Sequence, residues 1–304
     1  MMEYSNIITD NHIINQSKKE KSDSNSIAIM ADIHANYYCL EKALEDIKTR
    51  GIQTILFLGD YITDGFENNK VLDVIKKYKY VIAGNRDLSI ANYDGHSWNN
   101  LSQFKNMLYT YHTIHKEHID YIKNLPSYKF ITLNGKKICL SHGTPFHNRE
   151  IVNTNSFDIF DKLISTFHCD IYLFAHTHEA FYTTYKNKTF INPGSIILPA
   201  DGPTSKYGIL NLQNMQYNQI SIHYDFTTLR NYYLSSVYFK QNPVWCNLLI
   251  HTNEAGIDYV CSFIHFVEEK AKKEHIDIKH HIPNNLWHIA FLEFMKINGL
   301  HIYR

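Results

Sequence analysis

Five short apolar runs in this chain each stop at residues able to bind a metal, and that repetition constrains the fold more than any other feature. Ile27 to Ala31 runs into Asp32-Ile33-His34-Ala35-Asn36, and Thr54 to Leu58 into Gly59-Asp60. Tyr80 to Ala83 runs into Gly84-Asn85-Arg86-Asp87, Lys137 to Leu140 into Ser141-His142-Gly143, and Ile171 to Ala175 into His176-Thr177-His178. Short apolar runs bounded by turn-forming residues read as buried strands. Between the first three lie helical patterns, near 38–50 (Leu40, Ala43, Leu44 and Ile47, closed by Gly51) and 69–78. A β-α-β-α-β series implies right-handed crossovers and a largely parallel sheet. In open α/β sheets ligands gather at the carboxyl ends of strands. Asp, His, Asp, Asn and three more His at those ends exceed what one tetrahedral ion takes. They suit two ions sharing a carboxylate, with positions left for water and substrate. Oxygen and nitrogen ligands without thiolate suit Mn, Fe, Zn, Ni or Co.

The remaining pattern places a long helix over 99–124, stopped by Pro126, and a hairpin turning at Asn134-Gly135. A helix over 157–167, a second hairpin turning at 186–188, and strands over 207–212 and 219–224 follow. From about residue 226 the periodicity is helical, over 257–273 and 286–297. The expected organisation is a disordered tail over 1–25, an α/β domain over 26–225 and a helical extension over 226–304 that caps the site, packs on the sheet edge or forms a dimer contact.

The ordered set of Asp32 and His34 (DxH), Asp60 (GD), Asn85 (GN), His142, then His176 and His178 (HxH) resembles the calcineurin-like metallophosphoesterase superfamily over residues 27 to about 213. Asn192-Pro193-Gly194-Ser195 further resembles its small-phosphodiesterase branch. The resemblance implies two packed mixed β-sheets flanked by helices. It also implies two divalent metals, manganese foremost. Asp32, His34, Asp60 and His178 would hold one, and Asp60, Asn85, His142 and His176 the other, with Asp60 bridging. A metal-activated hydroxide would then attack the phosphorus of a small phosphate ester in line. Many relatives carry histidine where this chain has Arg86. A guanidinium does not give up its proton at neutral pH but clamps phosphate oxygens, which favours a diester. Ala175 stands where the family usually has glycine before its HxH pair.

Other residues have two readings. Asn36 either caps the following helix or orients a metal-bound water. Asn192 and Ser195 either form an ordinary turn or face the phosphate. Asp64 and Asp87 support loops or ligand histidines. His112, His115 and His118, and the C-terminal His251, His265, His275, His280, His281, His288 and His301, are structural.

Thirty basic and thirty acidic residues cancel, so a nuclease is disfavoured and nucleic acid is an improbable partner. No apolar run spans a membrane. Five cysteines without a CxxC pair read as reduced core residues of a cytoplasmic protein. A non-catalytic scaffold would show lost ligands, and none of the seven is missing.

Overall fold

The computed structural model describes residues 25–278 and 281–304. The expected tail therefore lies outside the described residues except for Asn25, whose carbonyl accepts from Leu212 N at 2.9 Å; His280 lies outside them too. The elements in chain order are β1 (Ser26–Met30), α1 (Tyr37–Thr49), β2 (Thr54–Phe57), α2 (Asn68–Ile75), β3 (Tyr80–Val81), α3 (Asn85–Ala91), α4 (Lys105–Thr113), α5 (Lys116–Lys123), β4 (Tyr128–Leu133), β5 (Lys136–Ser141) and α6 (Phe157–Phe167). They continue with β6 (Ile171–Leu173), β7 (Phe181–Tyr185), β8 (Lys188–Asn192), β9 (Ser205–Asn211), β10 (Tyr217–Ile222), α7 (Phe226–Leu234), α8 (Val237–Gln241), α9 (Pro243–Ala255), α10 (Tyr259–Lys273) and α11 (Asn284–Ile297).

The strands make two five-stranded sheets, ordered β10-β9-β1-β2-β3 and β4-β5-β6-β8-β7. Each is mixed: β1-β2-β3 and β5-β6-β8 are parallel, and hairpin strands close the edges antiparallel. All five strands singled out in the sequence lie in these parallel sections, so their carboxyl ends emerge on one side. Ile27 and Ile29 of β1 meet Ile138, Leu140, Ile171, Leu173 and Ile191 of the other sheet, whereas Ala28 and Met30 face the helices. A strand covered on both faces loses polar alternation, which is why β1 reads as a continuous apolar run. α6 covers the outer face of the second sheet through Phe160 and Leu163 against Tyr172 and Phe190. α1, α2 and the helices after residue 225 share one core on the first sheet's other side, with Trp245, Phe263, Trp287 and Phe294 among its larger members.

The single helix expected over 99–124 is not formed. Residues 102–104 make a 3-10 turn, and the helix breaks at Ile114 and His115, both extended. Asn69 stabilises the break: its Nδ2 donates to Thr113 O at 2.9 Å and its Oδ1 accepts from His115 N at 2.8 Å. A side chain 44 residues away in sequence thus satisfies the backbone groups that a continuous helix would have paired internally. Cys261 departs from the core reading; Cys39, Cys139, Cys169 and Cys246 are buried, but Cys261 is exposed on α10. Among the described residues, no helix is long and apolar enough to cross a membrane.

Candidate metal centre

The loops after β1, β2 and β3 are held together backbone to backbone. Ile33 N and His34 N both donate to Asp60 O, at 2.9 and 3.0 Å, and Ala35 N to Tyr61 O at 2.8 Å. Gly59 (φ +100°) packs against Gly84, and a side chain at either position would run into the other loop's backbone. That closeness explains the glycines of GD and GN: each lets the next residue, Asp60 or Asn85, approach the other. Asp87 fixes the junction. Its Oδ2 accepts from Asp60 N and Gly84 N, each at 2.8 Å, and its Oδ1 from Tyr61 N at 3.0 Å.

These loops, together with those after β5 and β6, bring all seven candidate ligands to one place. Asp32, His34 and His178 offer atoms within 4.8 Å of one another, and so do Asp32, Asp60 and His142. Asp32 Oδ1 lies 3.4 Å from His178 Nε2 and 3.9 Å from both His34 Nε2 and His142 Nε2. His142 Nε2 also sits 3.4 Å from Asp60 Oδ2 and 3.1 Å from Asn85 Oδ1. The His176 ring stands 5.3 Å from that of His142, and its backbone N donates to Asp32 Oδ2 at 3.3 Å.

The donor set fits a cation on two grounds. A carbonyl can only accept, so His142 Nδ1, 2.8 Å from Leu58 O, and His178 Nδ1, 2.7 Å from Leu198 O, must carry protons. In the neutral rings that leaves both Nε2 lone pairs directed at carboxylates and at each other's neighbours, including His34 Nε2 at 3.2 Å from His178 Nε2. Second, Asp32 Oδ1 is wholly buried yet accepts no hydrogen bond. A buried carboxylate oxygen without a partner is costly, and a cation among these atoms removes the cost.

Electrostatics agree. Burial disfavours the charge on Asp32, but His178 and His142 overcome it and hold its carboxyl below the ordinary value. Burial works against His142 and His178 as well; facing Asp60 and Asp32 respectively, they are nonetheless pushed up to about 9. His176 goes the other way, down to about 4, through burial and the neighbouring His142. The backbone is strained here too: Asp32, His34, Asp60, Asp64, His176 and His178 all have φ between +45° and +71°. Such left-handed conformations in residues other than glycine cost about 1–3 kcal/mol each and gather at functional sites.

The other residues divide. Asp64 supports a ligand: its Oδ2 lies 3.4 Å from His34 Nδ1 and 3.4 Å from Arg86 Nε, and its Oδ1 accepts from Asn106 Nδ2 at 2.6 Å. Arg86 lines the cavity above the ligands, and its backbone N donates to Asp60 Oδ1 at 2.8 Å. Asn36 is placed as a helix cap, with Oδ1 accepting from Cys39 N at 2.9 Å, and it does not line the cavity. Asn192 and Ser195, expected to face the phosphate, are wholly buried and line no part of it. Asn192 instead ties the HxH loop down, donating to Ala175 O at 2.9 Å and Thr177 Oγ1 at 3.1 Å. The expected phosphate-facing loop is thus a support beneath the histidines.

The cavity over the ligands holds about 300 Å³. Part of its wall had no sequence signal. Arg149 comes from the loop after β5, and Leu249, Asp258, Val260, Cys261 and Ile264 come from α9, α10 and the turn between them. Nothing in the spacing of the α9 and α10 residues connects them to the strand ends; only the docking of the helices does.

A model of the calcineurin-like phosphoesterase superfamily domain matches residues 26–215. The chain therefore belongs to the calcineurin-like phosphoesterase superfamily. It is 28% identical over 216 residues to Uncharacterized protein MJ0912 of Methanocaldococcus jannaschii, covering 66% of this chain and 88% of that one. It is 24% identical over 195 residues to Phosphodiesterase MJ0936 of the same organism, covering 64% and 97%. Among solved structures, a metallophosphoesterase from Sphaerobacter thermophilus superposes with a TM-score of 0.63 at 20% identity, covering 76% of this chain and 99% of its own. Hypothetical protein PH1004 from Pyrococcus horikoshii gives 0.56 at 17%, covering 87% and 97%. At those identities the two structures bear on the fold, and the fold is theirs.

Proposed function

We propose that this chain is a metal-dependent hydrolase of a small phosphodiester, with two divalent ions bound between Asp32, His34, Asp60 and His178 on one side and Asp60, Asn85, His142 and His176 on the other. The observation that carries this reading is the buried, unpartnered Asp32 Oδ1 encircled by the Nε2 atoms of His34, His142 and His178. When bound, two such ions lower the pKa of a water and neutralise charge developing on phosphate oxygens. Manganese is the first candidate; Fe, Zn, Ni and Co suit the same ligands.

The chain's own groups orient and bind. Leu58 O and Leu198 O keep the Nε2 atoms of His142 and His178 turned inward. Asp64 steadies both His34 and the Arg86 guanidinium. Arg86 and Arg149 on the cavity wall suit the anionic ester oxygens. Arg86 offers no usable proton to a leaving group, so an ester whose leaving group needs little protonation is preferred. Phosphodiesterase MJ0936 carries a name consistent with that preference. Residues 26–225 form the catalytic unit in this reading, and 226–304 a cap that limits substrate size through the α9–α10 wall. The five free cysteines accord with a reducing, cytoplasmic setting.

Elemental analysis of the purified chain, alongside hydrolysis of bis-p-nitrophenyl phosphate and p-nitrophenyl phosphate with Mn²⁺, tests the proposal. About two metals per chain and a faster diester reaction are expected. Metal-free protein inert with every added divalent ion would mark a scaffold instead.

A further inference from the structure

A second cavity, of about 270 Å³, lies behind Arg86. It shares Arg86 and Ile264 with the cavity over the metal ligands, so those two side chains stand at the junction. Phe104, Met107, Trp245 and Trp287 give it aromatic and soft walls, with the two indoles 5.5 Å apart and tilted by 42°, while Gln103, Asn106, Glu268 and His281 add polar lining. Arg86 reaches toward it from the site, its Nε 3.4 Å from Asp64 Oδ2 and its Nη1 3.8 Å from Met107 Sδ.

Each cavity alone sits near the lower end of the range for small-molecule sites, and the two joined at Arg86 fall within it.

We infer that this cavity is the subsite for one organic group of the phosphodiester, and that it selects a planar aromatic group. The inference rests on the phosphodiesterase reading for the orientation of the ester. With the phosphate on the ligand side of Arg86, an ester arm crosses the junction between the guanidinium and Ile264. Its ring then lies between Trp245, Trp287 and Met107. Alkyl arms would leave these walls uncovered.

The test is calorimetric titration of the Mn²⁺-loaded protein with diphenyl phosphate and dimethyl phosphate, in wild type and Ile264→Phe. Diphenyl phosphate is expected to bind about tenfold or more tighter than dimethyl phosphate, the worth of moving one ring out of water. Ile264→Phe, which narrows the junction, should abolish that preference. Comparing two ligands on one preparation cancels any loss of folded protein. Equal affinity for the phenyl and methyl diesters, or a preference that survives Ile264→Phe, overturns the inference. Aryl preference without hydrolysis of bis-p-nitrophenyl phosphate keeps the subsite and discards the phosphodiesterase reading; hydrolysis without aryl preference does the reverse.

Discussion

The sheet edge carrying Asp32, His34, Asp60, Asn85, His142, His176 and His178 and the helices after residue 225 use histidine to opposite ends. His142 and His251 are both buried, and each gives one ring nitrogen to a backbone carbonyl, His142 to Leu58 at 2.8 Å and His251 to His301 at 2.7 Å. They differ in what the other nitrogen meets. For His142 it is Asp60 Oδ2 at 3.4 Å and Asn85 Oδ1 at 3.1 Å, inside a nest of buried carboxylates. For His251 it is one partly exposed carboxylate, Glu254, at 3.8 Å. The backbones differ likewise. Six metal-centre residues other than glycine adopt left-handed φ, whereas among the described residues after 225 only His275 does. Residue type therefore does not mark a site; convergence of buried charges on strained loops does.

Removing the charge at the centre of the first region should break the comparison most completely. Asp60→Ala is expected to reduce diester hydrolysis to background and to lower metal content, read by elemental analysis on folded protein. Retained metal at wild-type level would exclude Asp60 as a ligand and point to Asp32, which both close ligand groups already share. Asp87→Ala strands three backbone N–H groups and should destabilise the fold by roughly 3 kcal/mol or more, seen as a lower melting temperature. An unchanged melting temperature would show that the loop junction holds without it. Asp64→Ala removes the support of His34 and should weaken metal affinity roughly 10- to 100-fold. A metal titration with no change would leave Asp64 serving Arg86 alone.

The comparison also has a pH signature. His142 and His178 rise from 6.5 to about 9 in the metal-free fold. A folded pKa above the unfolded one contributes stability that is full below pH 6.5 and lost as pH rises through 9. His176, lowered to about 4, acts only below 6.5 and does not obscure that window. The metal-free protein should thus lose melting temperature between pH 6.5 and 9, while metal uptake strengthens across the same interval as the rings deprotonate. A flat metal-free profile there would mean that the two rings stay neutral. The smallest effect belongs to the second region: His265→Ala, on an exposed face of α10, should stay within about 0.5 kcal/mol and leave metal content unchanged.

Much of the first region was legible because its signals are local. An apolar run followed by Asp, Asn or His is complete within ten residues, and a glycine before the ligand reports a close approach. The break in the helix after α4 was not legible, because Asn69 on a different helix stabilises it. Nor was the work of Asn192, whose hydrogen bonds run beneath the HxH loop rather than toward the cavity. The wall from α9 and α10 depends on how a helical segment docks, and helical periodicity marks an apolar face without saying what it will cover.

By itself, then, the sequence determined the strand ends, their order and the inventory of Asp, Asn and His that they carry, since strand alternation and turn chemistry are properties of neighbouring residues. Only the tertiary structure decided that Asp32 Oδ1 is left without a hydrogen bond, that Asp64 serves His34 and Arg86 together, and that Trp245 and Trp287 line a cavity behind the site. Those facts follow from burial and from distances between groups far apart in the chain, and both arise only when the two sheets and the C-terminal helices pack.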